Sequence, residues 1–270
     1  MAADLHQRRG MHRFWPHYAR HRTRHNSPDA VTPIVLIPAR MAASRLPGKP
    51  LADIAGTPMV VRVLQRALEA DIGPVAVACA EPEIAAAVRA AGGRAVLTDP
   101  ALPSGSDRVH AALAELDPER RHEVVVNLQG DFPTLSPDAL HAVLRAVPGH
   151  DIGTLVAPIG DAAEAMNPAV VKAVCAFAPG AERATALYFS RLPVPGGDGP
   201  LWHHFGVYAW RRAALERFVA LPPSALELRE KLEQLRALEA GMRIGCVAIP
   251  AAAFGVDTPA DLARAREILA

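Results

Sequence analysis

The sequence predicts an α/β fold in which a mostly parallel central sheet carries helices on both faces. Short apolar runs rich in Val, Ile and Ala alternate along the chain with segments of helical periodicity. The runs are apolar at consecutive positions, which is typical of strands buried on both faces of a parallel sheet. This alternation favours right-handed crossovers, with helices above and below the sheet.

The first half of the chain shows the alternation most clearly. Residues 32–38 (TPIVLIP) form an apolar run bounded by prolines, and residues 58–70 place their apolar side chains on one helical face. Further strands are predicted at 75–79, 94–97 and 123–128, and further helices at 82–91, 106–116 and 136–147.

The second half is less regular but continues the pattern. We predict strands at 152–157, 170–177, 186–189, 205–209 and 242–248, and helices at 211–220, 226–240 and 259–269. No internal repeat or linker interrupts the chain after residue 30, so residues 31–270 are predicted to form a single domain.

The composition is that of a globular protein with a large core. The chain has 270 residues, of which 50% are hydrophobic and 21% charged. It lacks the run of about 18 apolar residues that membrane insertion requires. Its three cysteines, an odd number in apolar contexts, argue against a disulfide framework or a zinc site and favour a reducing compartment.

Residues 1–30 differ from the rest of the chain in charge. They hold six arginines against Asp4 and Asp29, and five of the eleven histidines. No apolar stretch in them is long enough for a signal peptide. We predict a disordered basic extension, with a misassigned start codon and an anion-binding tail as the alternatives. The rest of the chain carries no basic patch of the kind that nucleic-acid binding needs, so we expect no nucleic-acid partner.

A loop of small residues with three cations follows the first predicted strand. Arg40, Arg45 and Lys49 lie in it, and no carboxylate stands between Arg40 and Asp53. Ligands of open α/β sheets bind at the carboxyl ends of strands, and two guanidinium groups with an ammonium group suit a polyphosphate. The loop matches neither a Walker A loop nor GxGxxG. A solvated basic loop is the alternative interpretation.

Two aspartates occupy positions that suit a metal ion. Asp131 follows residues 124–130 (VVVNLQG), and Asp257 precedes the helix that Pro259 opens. A carboxylate at the end of a buried strand suits a hard divalent cation that also contacts nucleotide phosphates. Asp131 could instead cap a turn, and Asp257 or Thr258 could cap the last helix, so both interpretations stay open.

A series of short motifs runs in order from about residue 33 to the end of the chain. They are PAR at 38–40 with SRLPGKPL at 44–51, SGSDR at 104–108, NLQGD at 127–131, NP at 167–168, ALYFSR at 186–191, HFGVY at 204–208, LEQLR at 232–236 and GVDTP at 255–259. The ordered set resembles the motif series of the 3-deoxy-manno-octulosonate cytidylyltransferase (CMP-Kdo synthetase) family.

The resemblance implies a fold of the nucleotide-diphospho-sugar transferase (Rossmann-like) type. It also implies an enzyme that couples CTP to the sugar acid 3-deoxy-manno-octulosonate (Kdo) and releases pyrophosphate, which activates Kdo for lipopolysaccharide assembly. Members of the family depend on Mg²⁺, work in the cytoplasm and are usually homodimers. We expect the same of this chain, with no membrane insertion.

The resemblance further implies roles for individual residues. The residues expected to bind the nucleotide are Pro38, Ala39, Arg40, Arg45, Lys49, Ser104, Gly105 and Arg108. Asp131 and Asp257 are expected to hold Mg²⁺ and, with Arg40 and Lys49, to form the catalytic set. The sugar acid is expected to contact Gln129, Arg191, His204, Tyr208, Glu233 and Gln234. Arg191 is the candidate for the sugar carboxylate, because a planar guanidinium group matches a planar anion. For His204 we weigh a structural role against that of general base.

Four features depart from the usual pattern of the family. Phe132 stands in place of an acidic residue, Cys79 and Ala80 in place of Thr-Asp, His203 in place of an arginine, and the segment 192–203 is short. Two alternatives stay open: a cytidylyltransferase for another sugar acid, such as a sialic or 8-amino sugar, and a catalytically silent nucleotide-binding relative. Phe132 and Ala80 favour the silent relative, whereas Asp131 and Asp257 argue against it.

Overall fold

A computed structural model describes residues 32–42, 46–250 and 254–270 of the chain. The basic extension predicted at residues 1–30 lies outside them, so the division of the chain into an extension and one domain stays a prediction. The strands are β1 (Ile34–Ala39), β2 (Asp53–Ile54), β3 (Thr57–Pro58), β4 (Val75–Cys79), β5 (Ala95–Leu97), β6 (Val124–Leu128), β7 (Ile152–Pro158), β8 (Lys172–Cys175), β9 (Arg183–Ser190), β10 (Trp202–Arg211) and β11 (Ile244–Ala248).

Helices connect most of these strands. They are α1 (Met59–Glu69), α2 (Pro82–Ala90), α3 (Gly105–Leu116), α4 (Pro137–Arg145), α5 (Ala162–Met166), α6 (Arg212–Val219), α7 (Ala225–Glu230), α8 (Gln234–Glu239) and α9 (Pro259–Leu269), with a short 3₁₀ helix at Lys49–Leu51. None of the helices in the described ranges is long and apolar enough to cross a membrane.

One mixed sheet organises the structure, in the strand order β5-β4-β1-β6-β10-β7-β11-β9-β8. β5, β4, β1 and β6 are parallel to one another, as predicted. β10 then lies antiparallel between β6 and β7, and β9 lies antiparallel to both β11 and β8. The prediction of an α/β fold is confirmed, but the sheet, predicted to be mostly parallel, is mixed: β7 and β11 are parallel neighbours in the second half, whereas β10 and β9 are antiparallel to the strands on either side of them. Antiparallel neighbours need no crossover helix, and their buried strands have the same apolar pattern as parallel ones.

β1 shows why helices cover both faces of the sheet. Val35 and Ile37 pack in a core that contains residues of α1, α2 and α4. Ile34 and Leu36, at the alternate positions, pack in a second core with residues of α3, α6 and α8. Burying an aliphatic side chain of this size contributes about 1.5–3 kcal/mol. The predicted layer of helices on each face is therefore confirmed.

The strand order reverses between β1 and β6. The chain runs outward from β1 to β4 and β5, and then returns through α3 to β6 on the other side of β1. In open α/β sheets, ligands bind in the crevice beyond the carboxyl ends of the strands at such a switch point. The residues that follow β1 and β6, among them Arg40 and Asp131, lie at this edge.

Most predicted elements are present with ends shifted by at most three residues, but the helix predicted at 226–240 is wrong. Two helices, α7 and α8, occupy this range because Lys231 adopts a left-handed conformation with φ 56° and ψ 48°. That conformation costs a non-glycine residue about 1–2 kcal/mol, so the sequence pattern does not reveal it. The break places Glu233 at the N-terminus of α8. The pattern also misses the 3₁₀ helix, the β2–β3 hairpin and α5.

Candidate active site

The loop after β1 brings two of the predicted cations to the switch point. Arg40 follows β1 directly and is exposed, and Lys49 opens the 3₁₀ helix. Gly48, just before it, has φ 69°, a left-handed conformation that glycine adopts without strain. Arg45 lies outside the described residues, so its contact with the nucleotide stays a prediction.

Lys49 joins the two aspartates that the sequence singles out. Its Nζ lies 2.8 Å from Asp131 Oδ2 and 2.8 Å from Asp257 Oδ1. The two carboxyl groups therefore face one point, within two hydrogen-bond lengths of each other. Burial alone would lower the pKa of Lys49, but the two carboxylates outweigh burial and raise it above its usual value. The ammonium group consequently stays charged at neutral pH.

Backbone contacts hold the two aspartates in this arrangement. The N–H of Val256 donates to the carbonyl of Asp131 at 2.9 Å, which ties the two loops together. Thr258 caps α9, because its hydroxyl accepts from the N–H of Asp261 while the Asp261 carboxylate accepts from the N–H of Thr258. The cap predicted as an alternative for Asp257 is thus supplied by Thr258, which leaves the Asp257 carboxylate for Lys49.

Gly130 allows the loop after β6 to approach β1. A Cβ atom at this position would lie 3.0 Å from the backbone carbonyl oxygen of Pro38. The close approach of the two backbones places Asp131 beside the loop that carries Arg40 and Lys49. A side chain at residue 130 would push these loops apart.

The Asp131 and Asp257 carboxylates fit a magnesium ion. Asp131 Oδ1 is buried and has no hydrogen-bond partner among the described residues. Within residues 32–42, 46–250 and 254–270, no three His, Cys, Asp or Glu side chains come together as a self-sufficient metal site. A pair of carboxylates is a donor set that Mg²⁺ favours, because this ion binds one or two carboxylates and completes its coordination shell with substrate phosphates and water. The metal itself stays a prediction.

A cavity of about 160 Å³ lies between the end of β1, the residue after β6 and the start of α3. Its lining consists of residues that the sequence assigns to the site, namely Pro38, Ala39, Arg40, Ser104, Gly105, Arg108 and Gln129. Ser104 and Gly105 stand at the N-terminus of α3, where free backbone N–H groups favour an anion. The structure thus brings together six of the eight residues predicted for the nucleotide, and Gln129 with them.

Arg108 presents an unused donor at the cavity. The side chain is 2% exposed, and its Nη1 donates to Thr98 Oγ1 at 2.5 Å and to the Asp99 carbonyl at 3.2 Å. Its Nη2 is buried without a hydrogen-bond partner in the described part of the chain. Burial, together with the charge of Arg40, lowers the pKa of Arg108. A buried donor left unpaired is costly, so this nitrogen suits a ligand acceptor.

Glu233, at the start of α8, contacts a residue next to the cavity, whereas contact of the neighbouring Gln234 with the sugar acid stays a prediction. The Glu233 carboxylate accepts a hydrogen bond from the Ser106 hydroxyl at 2.9 Å. Burial raises the pKa of Glu233, and hydrogen bonds from Ser106 and the charge of Arg236 oppose that rise. Gln234 is 4% exposed. The helix break at Lys231 lets α8 begin in a new direction, with Glu233 at its N-terminus, in contact with Ser106.

Arg191 is held by backbone oxygens. Its Nε donates to the carbonyl of Glu230 at 2.9 Å, its Nη1 to that of Pro168 at 3.0 Å and its Nη2 to that of Lys231 at 3.3 Å. These bonds fasten the end of β9 to the turn between α7 and α8. Each Nη has a second proton, so binding of the sugar carboxylate stays a prediction.

His204 has a structural position. It is 7% exposed, burial lowers its pKa to about 3, and its Nε2 lies 3.0 Å from Thr154 Oγ1. The Thr154 hydroxyl also lies within hydrogen-bond distance of the carbonyls of Phe205 and Val207, at 3.0 and 2.9 Å. A buried imidazole whose pKa is lowered to about 3 is a weak base, which argues against the role of general base.

Thr154 holds a β-bulge that shapes the site. β10 pairs Phe205 with Leu155 and Tyr208 with Thr154, so Gly206 and Val207 form an insertion in the register. A Cβ atom on Gly206 would lie 3.6 Å from Gln129 Cγ, which places the bulge against the cavity. Tyr208, 4% exposed, lies behind it, and burial raises its pKa well above the usual value.

The sequence analysis misses four buried polar residues around the site. Lys172 is fully buried, and its Nζ donates to the backbone carbonyls of Asn167, Val170 and Arg191. The other three are Ser106, Asn127 and Thr154, each 0% exposed. A polar residue inside an apolar strand, such as Asn127 in VVVNL, is the signal that would find them.

Phe132, which replaces an acidic residue, is 9% exposed and belongs to the core. Two atoms of its ring lie 3.8 Å from where a Cβ on Gly255 would stand. It therefore packs against the segment that carries Asp257. This packing supports the carboxylate pair, so Phe132 gives no reason to expect a silent protein.

The chain is similar in sequence to proteins of one activity. The sequence model of a family described as Cytidylyltransferase matches residues 34–244. Over 239 residues, the chain is 62% identical to the 3-deoxy-manno-octulosonate cytidylyltransferase of Rhodospirillum centenum, which covers 88% of this chain and 93% of that protein. Over 238 residues, it is 63% identical to the protein of the same name from Rhodopseudomonas palustris, with 87% and 97% covered.

Solved structures give the same result. A CMP:2-keto-3-deoxy-manno-octonic acid synthetase complexed with CTP matches with a TM-score of 0.79 and 39% identity, over 88% of this chain and 98% of that one. A 4-diphosphocytidyl-2C-methyl-D-erythritol synthase matches with a TM-score of 0.60 and 15% identity, over 88% of this chain and 100% of that one, and shares the fold alone.

Proposed function

The chain belongs to the 3-deoxy-manno-octulosonate cytidylyltransferase family, and we infer that it is a nucleotidyltransferase that couples CTP to Kdo, giving CMP-Kdo and pyrophosphate. The product supplies Kdo for lipopolysaccharide assembly. The observation that carries this conclusion is the 62% identity over 88% of the chain. The α/β fold agrees with it, and we assign it to the nucleotide-diphospho-sugar transferase type, Rossmann-like across β5, β4, β1 and β6.

The reaction is an in-line displacement at phosphorus. The anomeric oxygen of Kdo forms a bond to the α-phosphorus of CTP, the bond between that phosphorus and the bridging oxygen breaks, and pyrophosphate leaves with the electron pair. The proton of the sugar hydroxyl is lost. Catalysis of such a step consists mainly of positioning and of stabilising the charge on the phosphoryl oxygens.

We propose that the cations of the loop after β1 stabilise the leaving group. Arg40 is exposed at the rim of the cavity, and Lys49 is a charged ammonium group that follows it in the same loop. A guanidinium group can donate two parallel hydrogen bonds to two phosphate oxygens, and an ammonium group adds a point charge. Arg45 belongs to the same proposal. The unpaired Nη2 of Arg108 supports a contact with the nucleotide in the same cavity.

We propose that Asp131 and Asp257 hold Mg²⁺. Their convergence on one cationic group and the unpaired Oδ1 of Asp131 support this assignment. When bound, the ion supplies polarisation of the α-phosphate and a lower pKa for the attacking hydroxyl. The carboxylates themselves bind Lys49 and so stay beside the loop after β1.

For the sugar acid we propose contacts with Gln129, Arg191, Tyr208, Glu233 and Gln234, and a supporting role for His204. Gln129 lines the cavity, and Glu233 accepts a hydrogen bond from Ser106, which follows the cavity-lining Gly105. We also propose that the enzyme is a homodimer and works in the cytoplasm, where CTP is available. Its partners are CTP and Kdo, without nucleic acid or membrane insertion.

Pyrophosphate release by the purified protein tests this function. With Mg²⁺, CTP and Kdo we expect pyrophosphate and CMP-Kdo in equal amounts. We expect pyrophosphate to be released faster with CTP than with ATP, GTP or UTP. Sialic acid and an 8-amino analogue of Kdo, supplied at the same concentration, test the alternative substrates. If the protein binds CTP measurably but releases pyrophosphate with none of these acids, the assignment is overturned and a silent nucleotide-binding protein is favoured.

A further inference from the structure

Four polar side chains connect the two sides of the site in a line that we call the buried polar chain: Gln129, Asn127, Ser106 and Glu233. Gln129 Nε2 donates to Asn127 Oδ1 at 3.0 Å, and Asn127 Nδ2 lies 3.5 Å from Ser106 Oγ. The Ser106 hydroxyl donates to Glu233 Oε1 at 2.9 Å. The two ends are residues expected to bind the sugar acid, whereas nothing in the sequence assigns a role to Ser106 or Asn127.

The two central residues are unusual for their surroundings. Ser106 and Asn127 are both 0% exposed, and Asn127 interrupts the apolar strand β6 between Val126 and Leu128, which are also fully buried. A buried polar group is stabilised only when it is hydrogen-bonded, and here the bonds lead to other polar side chains of the site. Ser106 and Asn127 therefore connect polar side chains of the site, and their role is not the apolar packing of β6.

The buried polar chain has one direction. The Ser106 hydroxyl has one proton and donates it to Glu233 Oε1. The lone pairs of Ser106 Oγ then face the Asn127 amide N–H, and Asn127 Oδ1 faces the N–H of Gln129. Each bond fixes the next, and the bond from Ser106 to Glu233 therefore sets which way the Gln129 amide points.

The free end of the buried polar chain lies at the cavity. With Nε2 used by Asn127, Gln129 Oε1 stands next to Gly105, 3.3 Å from where a Cβ on that glycine would lie. Gln129 and Gly105 both line the cavity of about 160 Å³. The oriented amide therefore presents an acceptor to a ligand. A side chain larger than hydrogen at Gly105 would crowd this oxygen.

We propose that Ser106 and Asn127 are positioning residues, which orient the Gln129 amide so that its Oε1 accepts a hydrogen bond from a hydroxyl group of the sugar acid. Recognition by a fixed acceptor favours a polyhydroxylated acid over a deoxygenated analogue, which would leave this partly buried oxygen without that hydrogen bond. The proposal rests on the proposed function, because it takes Kdo as the substrate.

A double-mutant cycle tests it. We compare the wild type, Ser106→Ala, Gln129→Met and the double variant, with KM for Kdo and KM for CTP measured separately. We expect each single change to raise KM for Kdo about 10-fold, the loss of one oriented hydrogen bond. We expect the double variant to be no worse than Gln129→Met alone, because Ser106 acts through Gln129. KM for CTP stays within about 2-fold of the wild type.

Two further variants guard against simple misfolding. Ser106→Thr keeps the hydroxyl and is expected to keep KM for Kdo near the wild-type value. Thr185→Val, on β9, removes a hydroxyl whose Oγ1 lies 2.9 Å from His150 Nε2. This change is expected to alter neither KM for Kdo nor KM for CTP. Losses that multiply in the double variant, or equal losses for Kdo and CTP, would overturn the proposal. Absence of turnover by the wild type would overturn the function as well, so the two failures can be told apart.

Discussion

The backbone N–H of Val256 donates to the carbonyl oxygen of Asp131 at 2.9 Å. The bond connects the loop after β6 with the segment before α9, which carry the two carboxylates that meet at Lys49. It involves no side chain, so the spacing of the carboxylates is set by the backbone. Changing their charge should therefore affect the chemistry of the site far more than its shape.

The first prediction concerns Asp131→Asn and Asp257→Asn. Each change removes one charge from the pair without changing its size, and we expect kcat to fall at least about 100-fold. The free energy of unfolding should change by less than about 1 kcal/mol. Steady-state kinetics and urea denaturation measure the two effects. Asp138→Asn, an exposed aspartate in the first turn of α4, is the control and should leave both unchanged. Loss of stability with kcat retained would indicate structural aspartates.

Lys49→Met tests the role of the ammonium group between the carboxylates. Without it, two negative charges face each other uncompensated, which destabilises the folded protein in the absence of divalent ions. We expect the melting temperature to fall, and added Mg²⁺ to raise it more in the variant than in the wild type. Thermal denaturation with EDTA and with Mg²⁺ measures this. Arg121→Met, at a side chain 70% exposed, is the control for loss of a cation. An equal response to Mg²⁺ in all three proteins would contradict this account of the pair.

Thr154→Val tests the support of the β-bulge in β10. The change removes the hydroxyl that lies within hydrogen-bond distance of the carbonyls of Phe205 and Val207 and of the His204 ring. Because these groups are buried, we expect a loss of about 2 kcal/mol in unfolding free energy. Urea denaturation measures it, with Thr185→Val as the matched control. If both variants lose the same small amount, the bulge does not depend on Thr154.

The pH dependence of stability tests the buried state of His204. Its pKa is lowered to about 3 when folded, below its unfolded value of 6.5, so the unfolded chain binds a proton first as the pH falls. The contribution of His204 is fully present above pH 6.5 and is lost progressively toward pH 3. Between pH 7.5 and 5 we expect the wild type to lose about 2 kcal/mol more than His204→Gln.

This comparison isolates His204. Burial also lowers the pKa of His203 and His150, and their effects have the same sign. The effect of His150 is common to both proteins and cancels, whereas His203 interacts with His204, so His203→Gln and the double variant complete the comparison. The same variant bears on catalysis. We expect the pH profile of kcat to keep its shape in His204→Gln. Loss of its acidic limb would restore the general-base role.

The place of the loop after β1 and of the two aspartates in the fold could be predicted because their signals are local. A strand that ends in small residues and cations, and a carboxylate after a buried strand, identify one edge of a sheet whatever the rest of the fold. The alternatives for Asp257 could not be separated, since a cap and a metal ligand suit the same sequence. Only the bond between Thr258 and Asp261 distinguishes them.

The features that escaped prediction depend on long-range contacts or on strain. β10 is inserted antiparallel between β6 and β7, and nothing in its own apolar pattern gives its direction. The left-handed Lys231, which ends α7, contradicts the helical periodicity around it. The bond between Ser106 and Glu233 joins residues 127 positions apart, beyond the reach of any local pattern.

Binding of Mn²⁺, followed by electron paramagnetic resonance in the presence of CTP, tests most directly whether Asp131 and Asp257 share one divalent ion. We expect one tightly bound Mn²⁺ per chain in the wild type, displaced by Mg²⁺. Either Asp→Asn substitution should weaken its affinity at least about 10-fold, while Asp138→Asn leaves it unchanged. Unchanged affinity in both variants, or in one of the two, would show that the carboxylates do not hold a common ion and would contradict the account.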